Sequence, residues 1–339
     1  MKIFVTGATG YIGGQLMRRL IEDGHNVVAL CRQIPDKPAM EGLTWKTGSL
    51  EDRGSIIHAM KDCSLVYHLG AVSNPWYPDP KIYYRVNVLG TENILEAAEI
   101  HLIEKLVFTS TVGVYGKSLS VPLTEDDPRL EPFDNAYDIT KAIAEQRVRS
   151  YAAKGHHAVI VNPARVYGPG KNTKANTMTR VIRDFISNSY YMVPDKGEAK
   201  HSYVFVEDIV EGHLLAMERG RSGENYILGG DNISYNEFFE ALENLTGLKR
   251  KKIGVPGMMI YYLAKCNMLW TKVSNRNPFL TPSYATLIST SHTFNTNKAR
   301  IELGYIPLTI KEGLLETLDV IGFKTPKSNL VTQPTTIIL

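Results

Sequence analysis

Cysteine is scarce in this sequence, and no metal-binding spacing is present. The three cysteines, Cys31, Cys63 and Cys266, are far apart, and the nine histidines are equally scattered. There is no His-Glu-x-x-His run and no Cys-x-x-Cys pair. We therefore predict that the protein has no metal site. We also expect a reducing compartment, the cytoplasm, because isolated cysteines do not build the disulfide framework of secreted proteins.

Long apolar runs and a large excess of one charge are also absent. The longest apolar stretch, residues 258–270, contains Lys265 and Asn267 and is too short to span a bilayer. We expect it to form a helix that covers the core of a smaller lobe, with an interfacial or substrate-lining helix as the alternative. The net charge of +3 gives no reason to expect a nucleic-acid partner, and the one basic run, 249–252, is expected to be a solvated loop. Residues 2–6 are expected to belong to the fold already, so we expect no signal peptide.

The first half of the chain alternates short apolar runs with longer amphipathic ones. This alternation predicts βαβ units and a parallel sheet covered by helices on both faces. The predicted fold is therefore α/β, a Rossmann-type doubly wound parallel sheet with a smaller, mostly helical substrate-binding lobe. The expected strands are 3–5, 27–30, 65–68, 105–109 and 158–161, and the expected helices are 14–23, 87–101 and 136–153.

The pattern changes after residue 170. Residues 172–192 are polar and irregular, and the chain is then expected to return to the sheet with a strand at 203–206, a helix at 207–218 and a strand at 225–228. Beyond residue 230 we expect two or three helices separated by prolines. We therefore assign 1–169 plus about 203–229 to the Rossmann domain, about 170–202 plus 230–323 to the substrate-binding lobe, and 324–339 to a flexible tail.

Three glycines lie between the first strand and the first helix, in Gly7-Ala-Thr-Gly10-Tyr-Ile-Gly13. Glycines at this spacing let the backbone turn tightly and approach phosphates without a Cβ in the way. The helix that follows directs its N–H groups and the positive end of its dipole at the anion. The motif therefore predicts a site for a dinucleotide pyrophosphate.

The end of the second strand bears on the choice of cofactor. An acidic residue there would accept hydrogen bonds from the adenosine ribose and favour NAD, but this chain has Cys31-Arg32. Arg32 can bind a 2′-phosphate through a charge-assisted contact, so we favour NADP over NAD. The alternative is that Arg32 stacks on the adenine or faces water.

Tyr137 and Lys141 are four residues apart on a predicted helix and share one face. Free tyrosine titrates near pKa ~10, and a nearby ammonium is expected to lower the pKa of Tyr137 toward the range useful for proton transfer. Ser110 and Thr111 end a predicted strand at the sheet edge where ligands bind. Adjacent strand residues point to opposite faces, so we expect one of these two hydroxyls to face the nicotinamide.

With these features the sequence resembles the extended short-chain dehydrogenase/reductase family, in its NAD(P)-dependent epimerase/dehydratase branch. The resemblance covers the chain to about residue 323. Besides the glycine motif and the Tyr-Lys pair, it rests on His68-Leu-Gly-Ala71, Asn87-Val-Leu-Gly-Thr91, Thr111-Val-Gly-Val-Tyr-Gly116, Asn162-Pro-Ala-Arg-Val-Tyr-Gly-Pro169, Tyr203-Val-Phe-Val-Glu-Asp208 and Lys298-Ala-Arg-Ile-Glu-Leu-Gly-Tyr305.

The resemblance implies roles for particular residues. Counting back from Val114-Tyr-Gly116, the catalytic Ser/Thr position of the family falls on Thr111, with Tyr137 as the acid/base and Lys141 as its partner. Two helices, 87–101 and 136–153, resemble those that pair subunits into a four-helix bundle, which implies a homodimer. The expected cofactor contacts are Gly7, Thr9, Gly10, Tyr11, Ile12, Gly13, Arg32, Ser49, Leu50, Leu69, Gly70, Ala71, Asn87, Thr109, Tyr137, Lys141, Asn162, Pro163 and Val166. Ser49 replaces the acid usual in the adenine-binding turn.

Departures from the family pattern narrow the reaction. Sugar dehydratases carry an Asp-Glu pair after the catalytic threonine, but Val112-Gly113 stands here, so dehydration is disfavoured. Nucleotide-sugar epimerases place an arginine before the Tyr-Val-x-Val-x-Asp strand, where this chain has Lys200-His201-Ser202. Lys174, Arg180 and Arg183 remain as possible phosphate ligands, so this departure weakens the epimerase reading without excluding it.

The sequence therefore predicts an enzyme that transfers hydride between NADP(H), or NAD(H), and a small, apolar carbonyl or alcohol substrate. Its apolar 258–270 segment resembles those of dihydroflavonol-reductase-like and 3β-hydroxysteroid-dehydrogenase-like relatives. The alternative is an NAD-dependent nucleotide-sugar epimerase, such as a UDP-sugar 4-epimerase. A non-enzymatic redox-sensing regulator is disfavoured, because it would not need an intact Thr111, Tyr137 and Lys141 set.

Overall fold

The structure is a computed structural model that describes residues 1–36, 40–170, 176–274 and 276–326. Its strands are β1 (Lys2–Thr6), β2 (Asn26–Cys31), β3 (Leu43–Thr47), β4 (Leu65–His68), β5 (Lys105–Thr109), β6 (Ala158–Pro163), β7 (Arg165–Tyr167), β8 (Tyr190–Pro194), β9 (Lys200–Phe205), β10 (Asn225–Leu228), β11 (Asp231–Ser234) and β12 (Lys251–Val255).

The helices follow the same numbering in chain order. They are α1 (Tyr11–Glu22), α2 (Arg53–Met60), α3 (Lys81–Tyr83), α4 (Gly90–Ile100), α5 (Ala136–Ala153), α6 (Thr177–Ser187), α7 (Val206–Arg219), α8 (Tyr235–Thr246), α9 (Gly257–Ser274), α10 (Pro282–Ser289), α11 (Asn297–Leu303) and α12 (Ile310–Val320). A π-helical turn, Tyr84–Leu89, joins α3 to α4, and a 3₁₀ turn, Val112–Val114, follows β5.

Seven strands form one parallel sheet in the order β10-β6-β5-β4-β1-β2-β3. The chain starts in the middle at β1, builds outward through β2 and β3, and then crosses to the other side at β4. The strand order therefore reverses between β1 and β4, which is where ligands of such sheets bind, beyond the carboxyl ends of the strands. The predicted doubly wound sheet is confirmed.

Alternate residues of the central strands fill two separate cores. Ile3 and Val5 face α1 and α7, whereas Phe4 and Phe108 face the layer that contains α2, α4 and α5. This alternation follows from the two-residue repeat of a strand, and burial on both faces explains why these strands are almost entirely apolar.

The smaller sheets lie in the second half of the chain. The predicted strand at 203–206 overlaps the end of β9, and Val206 already begins α7. This strand pairs with β7 and β11 in a three-stranded sheet and not with the large sheet. The irregular 172–192 stretch contains α6 and β8, and β8 pairs with β12. The basic run 249–252 is not entirely a loop, because Lys251 and Lys252 begin β12.

The prediction of two or three helices beyond residue 230 is wrong, since α8 to α12 are five. The prediction that 258–270 covers the lobe core is also wrong. The helix α9 buries Ala264 but exposes Met258 (73%) and Trp270 (64%). None of the helices in the described part of the chain is long and apolar enough to cross a membrane. Residues 327–339 of the predicted tail lie outside the described residues.

Candidate active site

The three motif glycines form a tight turn between β1 and α1. The amide of Gly10 donates to the carbonyl of Gly7 over 2.8 Å, and Gly7 has φ of +75°. A Cβ on Gly13 would lie 2.2 Å from the Gly7 oxygen, so only glycine fits there. Gly10 is the N-cap of α1 and has no side chain to cap the first amides. Those N–H groups and the positive helix end suit the pyrophosphate of a dinucleotide.

Tyr11 and Ile12, also predicted to contact the cofactor, have protein partners. The Tyr11 hydroxyl donates to the carbonyl of Gly168 over 2.9 Å, and Gln15 donates to the carbonyl of Pro169. Ile12 packs against the hydrophobic core. These contacts connect α1 to the segment that follows β7, so any cofactor contact by Tyr11 uses the ring or the backbone.

The loop after β4 lies directly against the glycine turn. A Cβ on Gly7 would be 2.8 Å from the Gly70 nitrogen and from the Leu69 carbonyl carbon. Leu69 and Ala71 are partly exposed around Gly70. The structure therefore brings these predicted cofactor-lining residues together with the glycine motif.

A buried histidine fixes the shape of this loop. The amide of Gly70 donates to the hydroxyl of Thr6 (2.9 Å), which lies 2.7 Å from Nδ1 of His68. Nε2 of His68 lies 3.0 Å from the Thr91 hydroxyl, which itself donates to the Asn87 carbonyl. These partners assign the proton to Nε2, with Nδ1 as the acceptor. Burial first, and then the charge of Lys141, lowers the pKa of His68 to about 3, so the ring is neutral.

Asn87 connects the loop to the predicted catalytic helix. Its Oδ1 accepts from the Val72 amide over 2.8 Å, and its Nδ2 donates to the Val72 carbonyl and to the Thr140 hydroxyl. Thr140 lies on α5 between Tyr137 and Lys141. Asn87 thus acts on the cofactor groove by holding its walls together.

Lys141 is almost fully buried, at 2% exposure. Its Nζ donates to the carbonyl of Thr109 at the end of β5 and lies 4.1 Å from the centre of the Phe108 ring. Burial lowers the pKa of Lys141 to about 7, although the Glu145 carboxylate one turn away opposes that shift. The lysine is therefore poised between its charged and neutral forms near neutral pH.

The expected lowering of the Tyr137 pKa is wrong. Burial, and then the negative charge of Asp138, raises the pKa of Tyr137 above its ordinary value. The physical reason is first the burial of the phenol and then the half-buried Asp138 carboxylate beside it, while Nζ of Lys141 donates to the Thr109 carbonyl. The phenol is consequently protonated at neutral pH.

Thr111 begins the 3₁₀ turn that packs against the start of α5. Its Oγ1 accepts from the Gly113 amide over 3.1 Å, which leaves its own proton free to donate. A Cβ on Gly113 would lie 2.1 Å from Oδ1 of Asp138, so the turn and the Tyr137 segment are in direct contact. Ser110 is buried at 4%, and its hydroxyl has no hydrogen-bond partner among the described residues. Of the two hydroxyls, that of Thr111 is the more accessible.

A buried network of hydrogen-bonded side chains behind Thr111 was not predicted from the sequence. Nδ2 of Asn162 donates to the Thr111 carbonyl (3.1 Å) and to Oε1 of Glu145 (2.7 Å). The Tyr115 hydroxyl lies between Asn162 and Asn225. Glu145 follows Lys141 by one helical turn, and this spacing was the sequence feature that could have indicated a role for Glu145 beside the site.

The predicted adenine end of the groove is less enclosed. Arg32 follows β2, is exposed, and makes no hydrogen bond or ion pair with the described residues. Leu50 packs closely on Gly70 and Gly90, where added Cβ atoms would meet it at 3.0 and 2.8 Å. The Ser49 hydroxyl accepts from the Glu51 amide, so it is partly used within its own turn.

Other predicted contacts turn their side chains toward the protein. The Thr109 hydroxyl lies 2.8 Å from Nε2 of His213, and Val166 packs against the core. Pro163 is buried at the end of β6. Arg180 and Arg183 are exposed on α6, and Lys174 lies outside the described residues.

Lys141 makes the stability of the protein depend on pH. The pKa of Lys141 is about 7 in the folded protein and ~10.4 in an unfolded chain. The unfolded chain therefore binds more protons between these values, and stability rises with pH across this window, by at most ~1.4 kcal/mol per pH unit. Below about pH 7 Lys141 is protonated in both the folded and the unfolded chain. The full cost of burying its charge then lowers the free energy of unfolding.

We expect this gain to be absent from Lys141→Met. Urea unfolding of both proteins at about pH 7, 8 and 9 measures it, since titrations common to both cancel in the difference. Parallel pH dependences would show that Lys141 is charged in the folded protein throughout.

The parallel sheet, the glycine cradle and the Tyr137–Lys141 helix define an NAD(P)-dependent enzyme of the Rossmann type. The profile of the NAD dependent epimerase/dehydratase family matches residues 3–229. The chain belongs to this family, within the extended short-chain dehydrogenases/reductases.

Two curated proteins are similar over nearly their whole length. A putative dihydroflavonol 4-reductase from Synechocystis is 32% identical, covering 93% of each chain. A 2-alkyl-3-oxoalkanoate reductase from Stenotrophomonas maltophilia is 30% identical, covering 93% of this chain and 97% of the relative. Among solved structures, MoeE5 in complex with UDP-glucuronic acid and NAD is 26% identical, with a TM-score of 0.74 over 94% of this chain and 98% of MoeE5.

Proposed function

We propose that the protein reduces the carbonyl group of a small, apolar substrate, or oxidises the corresponding alcohol. One observation carries this proposal. The side chain of Lys141 is buried and held on the Thr109 carbonyl, at the strand end that leads into Thr111, one helical turn from Tyr137. A phenol, an ammonium and a hydroxyl on adjoining segments at the switch point of the sheet suit a reaction in which a carbonyl oxygen gains a proton.

The proposed reaction uses the cofactor and three side chains. A bound dihydronicotinamide supplies the hydride, and the glycine turn with the 69–71 loop would hold its dinucleotide. Tyr137 is protonated at neutral pH and donates its proton to the substrate oxygen. Thr111 donates a hydrogen bond to the same oxygen, because its hydroxyl accepts from the Gly113 amide and its own proton is still available. The Lys141 ammonium, one helical turn away, stabilises the phenolate that this transfer leaves, until a proton from water restores the phenol.

The relatives support reduction of a carbonyl. Two of them are named as reductases, one acting on 2-alkyl-3-oxoalkanoates and one a putative dihydroflavonol reductase. We propose that residues 170–202 and 230–323 select the substrate, since they carry the elements outside the large sheet. The remaining segments, 1–169 and 203–229, would form the cofactor-binding domain.

A nucleotide-sugar epimerase is the second candidate, and the similarity to MoeE5 with UDP-glucuronic acid and NAD favours it. Against it stands the buried His201 where epimerases use arginine. A panel of ketones and UDP-sugars, assayed with NADPH and with NADH, separates the two functions. Consumption of reduced cofactor with a ketone supports our proposal, and interconversion of UDP-sugars without net cofactor consumption overturns it.

We propose NADP as the preferred cofactor. The support is Arg32, an exposed cation at the end of β2, where an acid would favour NAD. A higher kcat/KM with NADPH than with NADH in the same panel is the expected result, and a clear preference for NADH would refute it.

We also propose a homodimer built on α4 and α5. Leu89, just before α4, and Ile139, on α5, are apolar yet 41% exposed, as expected for residues that a partner copy covers. Light scattering should give twice the molar mass of one chain, and the single-chain mass would contradict the dimer.

All three cysteines are free, in line with a reducing, cytoplasmic environment.

A further inference from the structure

Arg165 lies among aromatic side chains of the smaller sheet. It begins β7, directly across from Tyr203 of β9. Its guanidinium carbon is 5.7 Å from the ring centres of both Tyr203 and Tyr235, and Nη1 donates to the Tyr235 hydroxyl over 2.9 Å. The arginine is partly buried, whereas the two tyrosines are 1% and 8% exposed.

No carboxylate balances this charge. Arg165 forms no ion pair with any Asp or Glu of the described residues. The remaining residues, 37–39, 171–175, 275 and 327–339, contain no acidic side chain. Arginine does not lose its proton in proteins, and an unpaired, partly buried charge is costly. The site therefore lacks the anion that would offset its charge.

The neighbours of Arg165 add unused hydrogen-bonding groups. The Tyr203 hydroxyl and Nε2 of His201 are buried, and neither has a hydrogen-bond partner among the described residues. The Tyr235 hydroxyl accepts from Arg165, so its own proton is still available. Two phenols and a guanidinium fork with further N–H groups can surround a pair of anionic oxygens.

The cluster adjoins the candidate active site. Arg165 follows Asn162 by three residues, at most ~11 Å of chain, and Asn162 binds the Thr111 carbonyl. On the other side, His201 stacks on His292 with ring centres 5.8 Å apart, and Nδ1 of His292 bonds to the Gly116 carbonyl. A substrate held at Arg165 would thus lie beside the 111–116 segment.

We propose that Arg165, with Tyr203 and Tyr235, binds an anionic oxygen group of the substrate, a carboxylate or a phosphate. This inference rests on the proposed function and adds to it that the substrate is charged at one end. A carboxylate would make the substrate an oxo acid or hydroxy acid, whereas a phosphate would make it the nucleotide sugar of the second candidate function. Guanidinium binds both through the same two-pronged contact.

Binding measurements on the full chain with saturating NADP⁺ test the subsite without requiring turnover. The probes are octanoate, its uncharged methyl ester, and UDP, added in a titration followed by calorimetry. We expect the wild type to bind octanoate or UDP at least about tenfold more tightly than methyl octanoate, the factor of one charge-assisted contact. Octanoate binding identifies the carboxylate, and UDP binding identifies the phosphate.

The variants are Arg165→Met, Arg165→Lys and Tyr203→Phe, with Arg18→Met on the exposed face of α1 as the matched loss of one arginine. Arg165→Met should remove the preference for the anion while NADP⁺ still binds. Arg165→Lys should keep part of the preference, and Tyr203→Phe, which conserves the packing, should weaken anion binding even if the methionine variant fails to fold. Arg18→Met should behave like the wild type.

Several results would overturn the subsite. These are equal binding of octanoate and its ester by the wild type, no binding of either anion at millimolar concentration, or an anion preference that survives Arg165→Met. Turnover of neutral ketones without any preference for anions would refute the anion subsite and leave the proposed reaction standing. Anion binding without reduction of any ketone would leave the subsite standing and count against the proposed reaction.

Discussion

Tyr137→Phe should lower kcat by about 10²- to 10⁴-fold, the usual contribution of a positioned general acid. The substitution removes one hydroxyl and keeps the ring, so the packing around the start of α5 is preserved. Because the glycine turn and the 69–71 loop do not depend on this hydroxyl, the affinity for NADPH should stay within about twofold. Steady-state kinetics on a ketone accepted by the wild type, together with an NADPH titration, gives both quantities.

The matched control is Tyr190→Phe. Tyr190 is 46% exposed at the start of β8, so the same atom is lost outside α5 and the glycine turn, and kcat should change little. A Tyr137→Phe enzyme with wild-type kcat would exclude the tyrosine as the proton donor. Weakened NADPH binding with unaltered kcat would instead make it a cofactor ligand only.

Gly13→Ala should abolish tight dinucleotide binding and destabilise the fold. The new Cβ would lie 2.2 Å from the Gly7 oxygen and 2.7 Å from the Gly7 carbonyl carbon. Backbone atoms on both sides cannot rotate away as a side chain can, so α1 or the turn must move. Overpacking of this kind costs about 1–3 kcal/mol, and the moved amides no longer converge on the phosphates.

Gly14→Ala is an unusually close control for this substitution. Gly14 is the next residue in the same helix, but its added Cβ meets only the Ala8 oxygen, at an ordinary 3.4 Å. Alanine is the better helix former by roughly 0.5–1 kcal/mol, so this variant should be as stable as the wild type or slightly more stable, and should bind NADPH normally. Urea unfolding and NADPH titration of both variants are the measurements. Similar behaviour of the two variants would show that the glycine contact is not what shapes the turn.

The sequence predicted the elements whose patterns are strong and local. The predicted bounds of β4, β5, β10 and α5 match the structure because buried parallel strands are continuously apolar and α5 has a clear cap in Asn135. The edge strand β3 was missed, since none of its five residues is buried and its alternation is weak. The exposed face of α9 was misread because apolar periodicity shows that a helix has an apolar side and does not show what covers it.

The site was predictable in its residue types but not in its charges. The glycine turn, the 69–71 loop and the Tyr137–Lys141 helix follow from motifs at fixed spacing. The raised pKa of Tyr137 does not, because it depends first on how deeply the fold buries the phenol and only then on the charge of Asp138. His201 and Arg165 could not be paired with their distant neighbours either, since Tyr235 and His292 are 34 and 91 residues from His201 and Tyr203 is 38 residues from Arg165.

The π-helical turn at Tyr84–Leu89 allows one continuous helical segment to serve two partners. Its wider winding shifts the rotational phase between the residues before and after it. Tyr83, on the near side, bonds to the Asn74 carbonyl, while Thr91, on the far side, reaches the His68 imidazole. With regular winding throughout, one of these two side chains would point away from its partner. The π-helical turn therefore lets one helical segment bond both to the groove wall and to the sheet.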